Sequence, residues 1–213
     1  MLDRLFSVGH SNHTLDHFVQ LLRGAAITAV ADVRSHPFSQ RLPQFNRSEL
    51  EGSLGHHSIS YIFLGDLLGG RPHDTAVYDR EGRVDYERVR RTTAFQMGLD
   101  RLCQLRERCI IAMLCAEEDP LDCHRGLLIA PALMDRGIMT WHLRGDGQVE
   151  SQPQFERRLL DAAKVGAGML DGLFAAMIST EERRELLEEA YRVQAGRKAF
   201  RSRTDELLEQ EFE

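Results

Sequence analysis

Two thiols eight positions apart frame the segment richest in reactive groups, Cys115-Ala116-Glu117-Glu118-Asp119-Pro120-Leu121-Asp122-Cys123-His124-Arg125. A thiolate is the nucleophilic and metal-ligating form of cysteine, and a neighbouring cation favours it. His124 or Arg125 can be that cation. Three further segments carry residues that loops rarely need for folding: Gly9-His10-Ser11-Asn12, Asp32-Val33-Arg34-Ser35-His36-Pro37 continuing through Arg41 to Phe45-Asn46, and Leu68-Gly69-Gly70-Arg71. The candidates for chemistry are Cys115, Cys123, His124, Glu117, Asp32 and His10. The candidates for holding a ligand are Ser11, Asn12, Arg34, Arg41, Asn46, Arg71 and Arg125. Arginines meeting on an otherwise acidic molecule suit a compact anion such as a phosphate, nucleotide or carboxylate.

Each segment also has a plainer reading. Gly-His-Ser is commonly a turn with a capping serine. Asp32 at a strand end can simply pair with an arginine, and the four arginines can hold loops in place. Cys115 can be buried packing, as Cys103 and Cys109 look to be. Cys115, Cys123, His124 and His10 could surround a metal, but their spacing lacks the paired knuckles of a structural zinc site, so no metal is expected. The chain has no G-x-x-x-x-G-K-[ST], no G-x-G-x-x-G after its first strand, no G-x-S-x-G and no H-E-x-x-H. Those absences argue against P-loop, dinucleotide, nucleophile-elbow and zincin chemistry. The cofactor stays unknown.

The positioning elements follow from periodicity. Short apolar runs at Leu5–Val8, Ile27–Val33, Ile59–Leu64, Cys109–Cys115 and Met139–Leu143 read as strands, and amphipathic helices separate them. One helix should run from Thr14 to Arg23, one from Arg47 to His56, and one from Tyr86 to Arg108 with an interruption near Thr92. Asp122 is placed to cap another, in which Pro131 demands a kink or a restart. Alternating strands and helices predict a Rossmann-like α/β fold: a mainly parallel sheet of about five strands with helices on both faces. Such sheets bind ligands outside the carboxyl ends of their strands, where all four segments would lie. Residues 1–147 form this domain. Residues 148–213 show helical periodicity only, including an S-x-x-E capping box at Ser179–Glu182. This extension has too few apolar residues for its own core and should bury Leu186, Leu187 and Tyr191 on the α/β domain or in a homodimer.

Composition narrows the partners. The 213 residues are 42% hydrophobic and 28% charged, a globular balance. A net charge of −6 argues against duplex nucleic acid as a partner. No run approaches the roughly 20 apolar residues of a membrane span, and no signal-peptide pattern opens the chain, so a cytoplasmic location is expected. Only two lysines stand against 25 arginines, so arginine position carries more information than arginine number.

The same segments resemble the domain-of-unknown-function 488 family. The resemblance rests on Gly9-His10-Ser11-Asn12, Asp32-Val33-Arg34-Ser35 with Pro37 and Ser39, Pro43-Gln44-Phe45-Asn46, Leu68-Gly69-Gly70, and Leu114-Cys115-Ala116-Glu117 with Pro120 and Cys123-His124-Arg125. It covers residues 1 to about 145, implies a Rossmann-like fold and brings no assigned reaction. Pro131 and the helical tail depart from the family pattern. Three functional classes are therefore open. The first, which the residues favour, is an enzyme acting on a small anionic, phosphate- or nucleotide-like substrate, with Cys115 or Cys123 and His124 near the chemistry. The second is a thiol-dependent or sulfur-transfer protein, since the strand–cysteine–loop–arginine order is similar to rhodanese-like active loops. The third is a non-catalytic ligand-binding or nucleic-acid accessory protein.

Overall fold

A computed structural model describes residues 4–166 and 178–202. Its centre is β4 (Ile111–Cys115), every residue of which is buried. Ile111 and Met113 point to one face and Ala112 and Leu114 to the other, because side chains alternate along a strand. A segment apolar at every position therefore needs cover on both faces. β1 (Leu5–Gly9), β2 (Ala29–Asp32), β3 (Ser60–Phe63) and β5 (Thr140–Leu143) complete a parallel sheet with it, as the periodicity predicts, and the structure sets their order as β3-β2-β4-β1-β5.

On one face, α1 (Leu15–Gly24) and α2 (Arg47–His56) bury Phe18, Leu22, Leu50 and Leu54 against Phe6, Val8, Val30 and Leu114. Thr14 caps α1 by accepting from the His17 N–H at 3.3 Å. On the other face, α4 (Tyr86–Arg90) and α5 (Thr93–Arg106) replace the single long helix. The expected interruption falls at Thr92, whose hydroxyl caps α5 at Phe95 N. α3 (Gly65–Leu68) is one turn at the mouth of β3.

Two expectations change. Asp122 does not cap the helix after Cys123: it is exposed and forms an ion pair with Lys198 at 2.8 Å. Asp122 ends a 3-10 turn over Pro120–Asp122 that Asp119 caps by accepting from Leu121 N, and no side chain caps the helix that follows at His124. Pro131, which has no N–H, sits in the first turn of α6 (Ala130–Met134). The residues before it, Arg125–Ile129, widen into a π-helical turn that runs without a break into α6, so a bulge accommodates Pro131 in place of the expected kink or restart.

The sheet also outruns residue 147. β6 (Val149–Ser151) adds a sixth, antiparallel strand on β5. α7 (Gln152–Ala163) then turns back with Phe155, Leu159 and Leu160 buried in the main core. α8 (Thr180–Lys198) opens with the expected capping box at Ser179 and packs Leu186, Leu187, Ala190 and Tyr191 on that core. Among the described residues, no helix is long and apolar enough to cross a membrane.

Candidate functional site

Parallel pairing decides which loops meet. Gly9 lies opposite Cys115, and Asp32 lies opposite both Leu114 and Phe63, so the chain leaves all four strands at one edge. Beyond that edge, His10 N and Ser11 N donate to the carbonyls of Cys115 and Ala116, extending the ladder two residues past the strands. Gly9 permits this approach. A Cβ there would stand 1.7 Å from the Glu117 carbonyl oxygen.

Four of the six chemistry candidates form one cluster. Cys115 Sγ and Cys123 Sγ lie 3.6 and 3.7 Å from the same atom, His124 Nδ1. The Cys115 thiol donates to Glu117 Oε2 at 3.1 Å. His124 Nε2 meets the Val33 carbonyl at 3.0 Å. A carbonyl only accepts, so Nε2 carries a proton and Nδ1 is the nitrogen turned toward the sulfurs. Both cysteines and His124 are buried, while Glu117 is exposed as a residue and turns its carboxyl end inward, joining the sulfurs to solvent. The Gly70 main chain covers the imidazole, and a Cβ on Gly70 would come within 2.9 Å of the ring.

Electrostatics split the two thiols. Burial alone would raise the Cys123 thiol, but the Cys115 thiol, the Arg125 guanidinium and His124 outweigh it and hold Cys123 well below the ordinary value. Cys115 moves the other way, pushed up first by burial and then by Cys123 and Glu117. Burial works to lower the His124 pKa, yet the neighbouring Cys123 and Glu117 raise it. Glu117 is raised, chiefly by desolvation of its inward carboxyl and then by Cys123. The Arg125 N–H donates to Cys123 Sγ at 3.4 Å.

The arginines behave differently from the ligand-binding expectation. Arg34 is tied to Asp32, with Nε to Oδ1 at 2.9 Å and Nη2 to Oδ2 at 2.6 Å, and Nη2 also reaches the Phe45 carbonyl. Tyr61, which the sequence did not single out, donates to the same carboxylate at 2.7 Å. Asp32 therefore anchors a buried pair. Arg125 is 1% exposed and donates to the Glu117 and Glu118 carbonyls at 2.6 and 2.5 Å, folding the loop between β4 and Cys123. Its Nε has no partner, and no carboxylate among the described residues pairs with it. Arg41 is exposed, and Arg71 is exposed with its guanidinium over the Phe200 ring. Arg34 and Arg125 are thus engaged by the protein's own groups, and both charges act on His10.

The remaining candidates are structural neighbours. His10 is buried, stacks on Phe45 at 4.3 Å and bonds the Ser11 carbonyl, and burial followed by the Arg34 charge lowers its pKa to about 4. Ser11 holds a positive φ of 47° and bonds Asn12, which is exposed. Asn46 accepts from Ser39 N at 2.6 Å and so ties down the loop before α2. A cavity of about 430 Å³ lies beside that loop, lined by Ser35, His36, Asn46 and Arg47, and the sulfur cluster is not part of its wall. Among the described residues, Cys115, Cys123 and His124 bring together the donor set for a soft or borderline metal ion.

No curated protein and no solved structure matches this chain. A family model described as a domain of unknown function, DUF488, matches residues 14–131. That span holds Asp32, Arg34, Gly70 and the whole Cys115–Arg125 segment, while the Gly9–Asn12 loop and β5 lie outside it. With more than half of its 213 residues matched, the chain belongs to the DUF488 family.

Proposed function

We propose that this protein is a thiol-dependent enzyme whose chemistry runs on Cys115, Cys123, His124 and Glu117 at the carboxyl edge of the sheet. The observation that carries this reading is the convergence of two buried sulfurs on one buried imidazole nitrogen, at 3.6 and 3.7 Å. Packing alone would not put a carboxyl oxygen 3.1 Å from one of those sulfurs. The buried Arg125 charge adds to it, because a guanidinium without a carboxylate is relieved by a thiolate nearby. Cys123 is then the anionic sulfur and Cys115 the protonated one, with Glu117 placed to take the Cys115 proton.

The thiol reading is preferred over a small-anion site built from arginines. Arg34 already turns its Nε and Nη2 to Asp32 and the Phe45 carbonyl, and Arg125 both of its Nη groups to the Glu117 and Glu118 carbonyls.

Alkylation of the native, chelator-treated and reduced protein at neutral pH tests this, with Cys103 and Cys109 as internal references. Those two are half-buried, so access favours them. The expected result is that Cys123 nonetheless reacts first, and that His124→Gln removes its lead. Cys123 lagging behind both reference thiols would end the thiol reading.

A further inference from the structure

The three donor atoms of the cluster are spaced as ligands of a single ion. Tetrahedral zinc binds sulfur at about 2.3 Å and imidazole nitrogen at about 2.0–2.1 Å, which separates a sulfur from a nitrogen by about 3.6 Å. The two sulfur–nitrogen separations here are 3.6 and 3.7 Å. All three donor atoms lie within 4.8 Å of one another, which accommodates the roughly 3.8 Å between two sulfurs on such an ion.

A second observation is independent of those distances. Metal-ligating histidines characteristically donate their other ring N–H to a carboxylate or a carbonyl, which sets the tautomer and the ring plane. His124 does this through Nε2 to the Val33 carbonyl at 3.0 Å. Gly70 packs its main chain on the ring from another side. The imidazole is therefore held with Nδ1 toward both sulfurs, before any ligand arrives. His124 is 8% exposed, Cys115 4% and Cys123 3%, so ligand desolvation is already complete in the fold.

We propose that Cys115 Sγ, Cys123 Sγ and His124 Nδ1 form a binding site for a zinc-class divalent cation, with Glu117 beside the remaining position. Two thiolates and an imidazole select borderline-soft ions over magnesium or calcium. Three protein ligands leave a fourth position open, the arrangement of catalytic rather than structural zinc. Glu117, whose carboxyl touches Cys115 Sγ and whose residue reaches solvent, is the group available to fill or serve that position. The spacing in sequence hides the site, because Cys115 comes from a strand end and Cys123-His124 from the start of a helix eight residues on.

The inference rests on the thiol-centred reading above and is tested separately from it. The probe is cobalt(II), added to the full chain after removal of metals under reducing conditions. The expected result is one cobalt per chain with sulfur-to-cobalt charge-transfer absorption and tetrahedral visible bands, both lost when zinc is added. Cys115→Ser and Cys123→Ser should each lose most of the charge-transfer intensity. His124→Gln should weaken binding at least tenfold, and Cys103→Ser should bind as wild type. Circular dichroism separates lost ligands from lost fold, and zinc should also protect Cys115 and Cys123 of the wild-type protein from alkylation. Absence of sulfur-to-cobalt absorption in folded wild type, or its survival in the double Cys115→Ser, Cys123→Ser variant, overturns the site. If cobalt fails to bind while Cys123 still outreacts Cys103 and Cys109, the cation inference falls and the thiol reading stands. If cobalt binds and the metal-free thiols are slow, the thiol-dependent enzyme falls and the cation site stands.

Discussion

At the scale of single residues, the edge of the sheet separates groups that react from groups that hold. Asp32 and Arg34 belong to the second kind. Removing one partner of a buried ion pair leaves an uncompensated charge, at a cost of about 3–5 kcal/mol. Arg34→Ala should therefore destabilise by about that much in denaturant unfolding, because Asp32 is fully buried and would keep only the residue-34 backbone N–H and the Tyr61 hydroxyl, with no charge to balance its own. Arg41→Ala, at an exposed position, should shift stability by no more than about 0.5 kcal/mol. Equal effects from the two changes would contradict the anchoring role. Gly70 gives a second contrast. Gly70→Ala places a methyl against the His124 ring, and overpacking of this kind costs about 1–3 kcal/mol. The added methyl meets Nδ1 and Cγ of that ring, so the variant should also lose the reactivity lead of Cys123. Wild-type alkylation rates in Gly70→Ala would show that the covering loop is not in contact with the ring in solution.

At the scale of elements, the C-terminal helices are fastened to the Cys115–Cys123 loop itself. Gln194 of α8, 4% exposed, donates to the Leu121 carbonyl at 3.1 Å, and Lys198 pairs with Asp122. Arg158 of α7 pairs with Asp119, and Arg144 after β5 bridges Glu118, Asp119 and Glu150. An unsatisfied buried carbonyl costs about 1–3 kcal/mol. Gln194→Ala should lower stability by that order and raise the alkylation rate of Cys123, because the loop that closes over it loses a strut. A rate unchanged in a measurably destabilised variant would separate the two elements. Truncation after residue 150 is expected to be worse than the loss of an accessory helix, since it strips Phe155, Leu159 and Leu160 from the core. Its readout is the soluble yield, and a soluble truncated form with the mass and melting temperature of the full chain would refute that packing.

At the scale of the whole molecule, a buried chain of polar groups ties the sheet to the tail. Ser7 of β1 bonds His142 Nδ1 at 2.7 Å, His142 Nε2 bonds Gln152 Oε1 at 3.2 Å, and Gln152 Nε2 bonds the Tyr191 hydroxyl at 2.9 Å. Burial, then the Arg125 and Arg144 charges, lowers the His142 pKa to about 3. The unfolded chain takes up a proton near pH 6.5 that the folded chain refuses until about pH 3. This contribution to stability is present above pH 6.5 and is lost as pH falls through that window, with a slope of about 1.4 kcal/mol per pH unit for one group. His10, lowered to about 4, adds in the same direction. Unfolding measured from pH 7 to 4 should show stability falling, and His142→Gln should make the fall shallower. An identical slope in the variant would show that His142 is solvated in the folded state.

Local rules were enough for the elements. Hydrophobic period and capping signals located five strands, the break at Thr92 and the capping box at Ser179, because each depends on residues adjacent in the chain. The same rules placed the four loops at one edge, since parallel strands must leave their carboxyl ends together. They also singled out Cys115, Glu117, Cys123 and His124 as a segment. Partner choice was not legible, because it is settled by residues distant in sequence. Val33 turns His124, Glu117 and Glu118 carbonyls absorb Arg125, and Tyr61 completes Asp32. Asp122 does not cap the following helix: it lies inside the turn that Asp119 heads, and its carboxylate meets Lys198, 76 positions on. β6 escaped notice since three residues give no period, and only the open edge of β5 makes them a strand. Chemical composition of the site is thus a property of the sequence. Which groups are free to react is a property of the tertiary structure, because each buried donor and charge must find its partner in space.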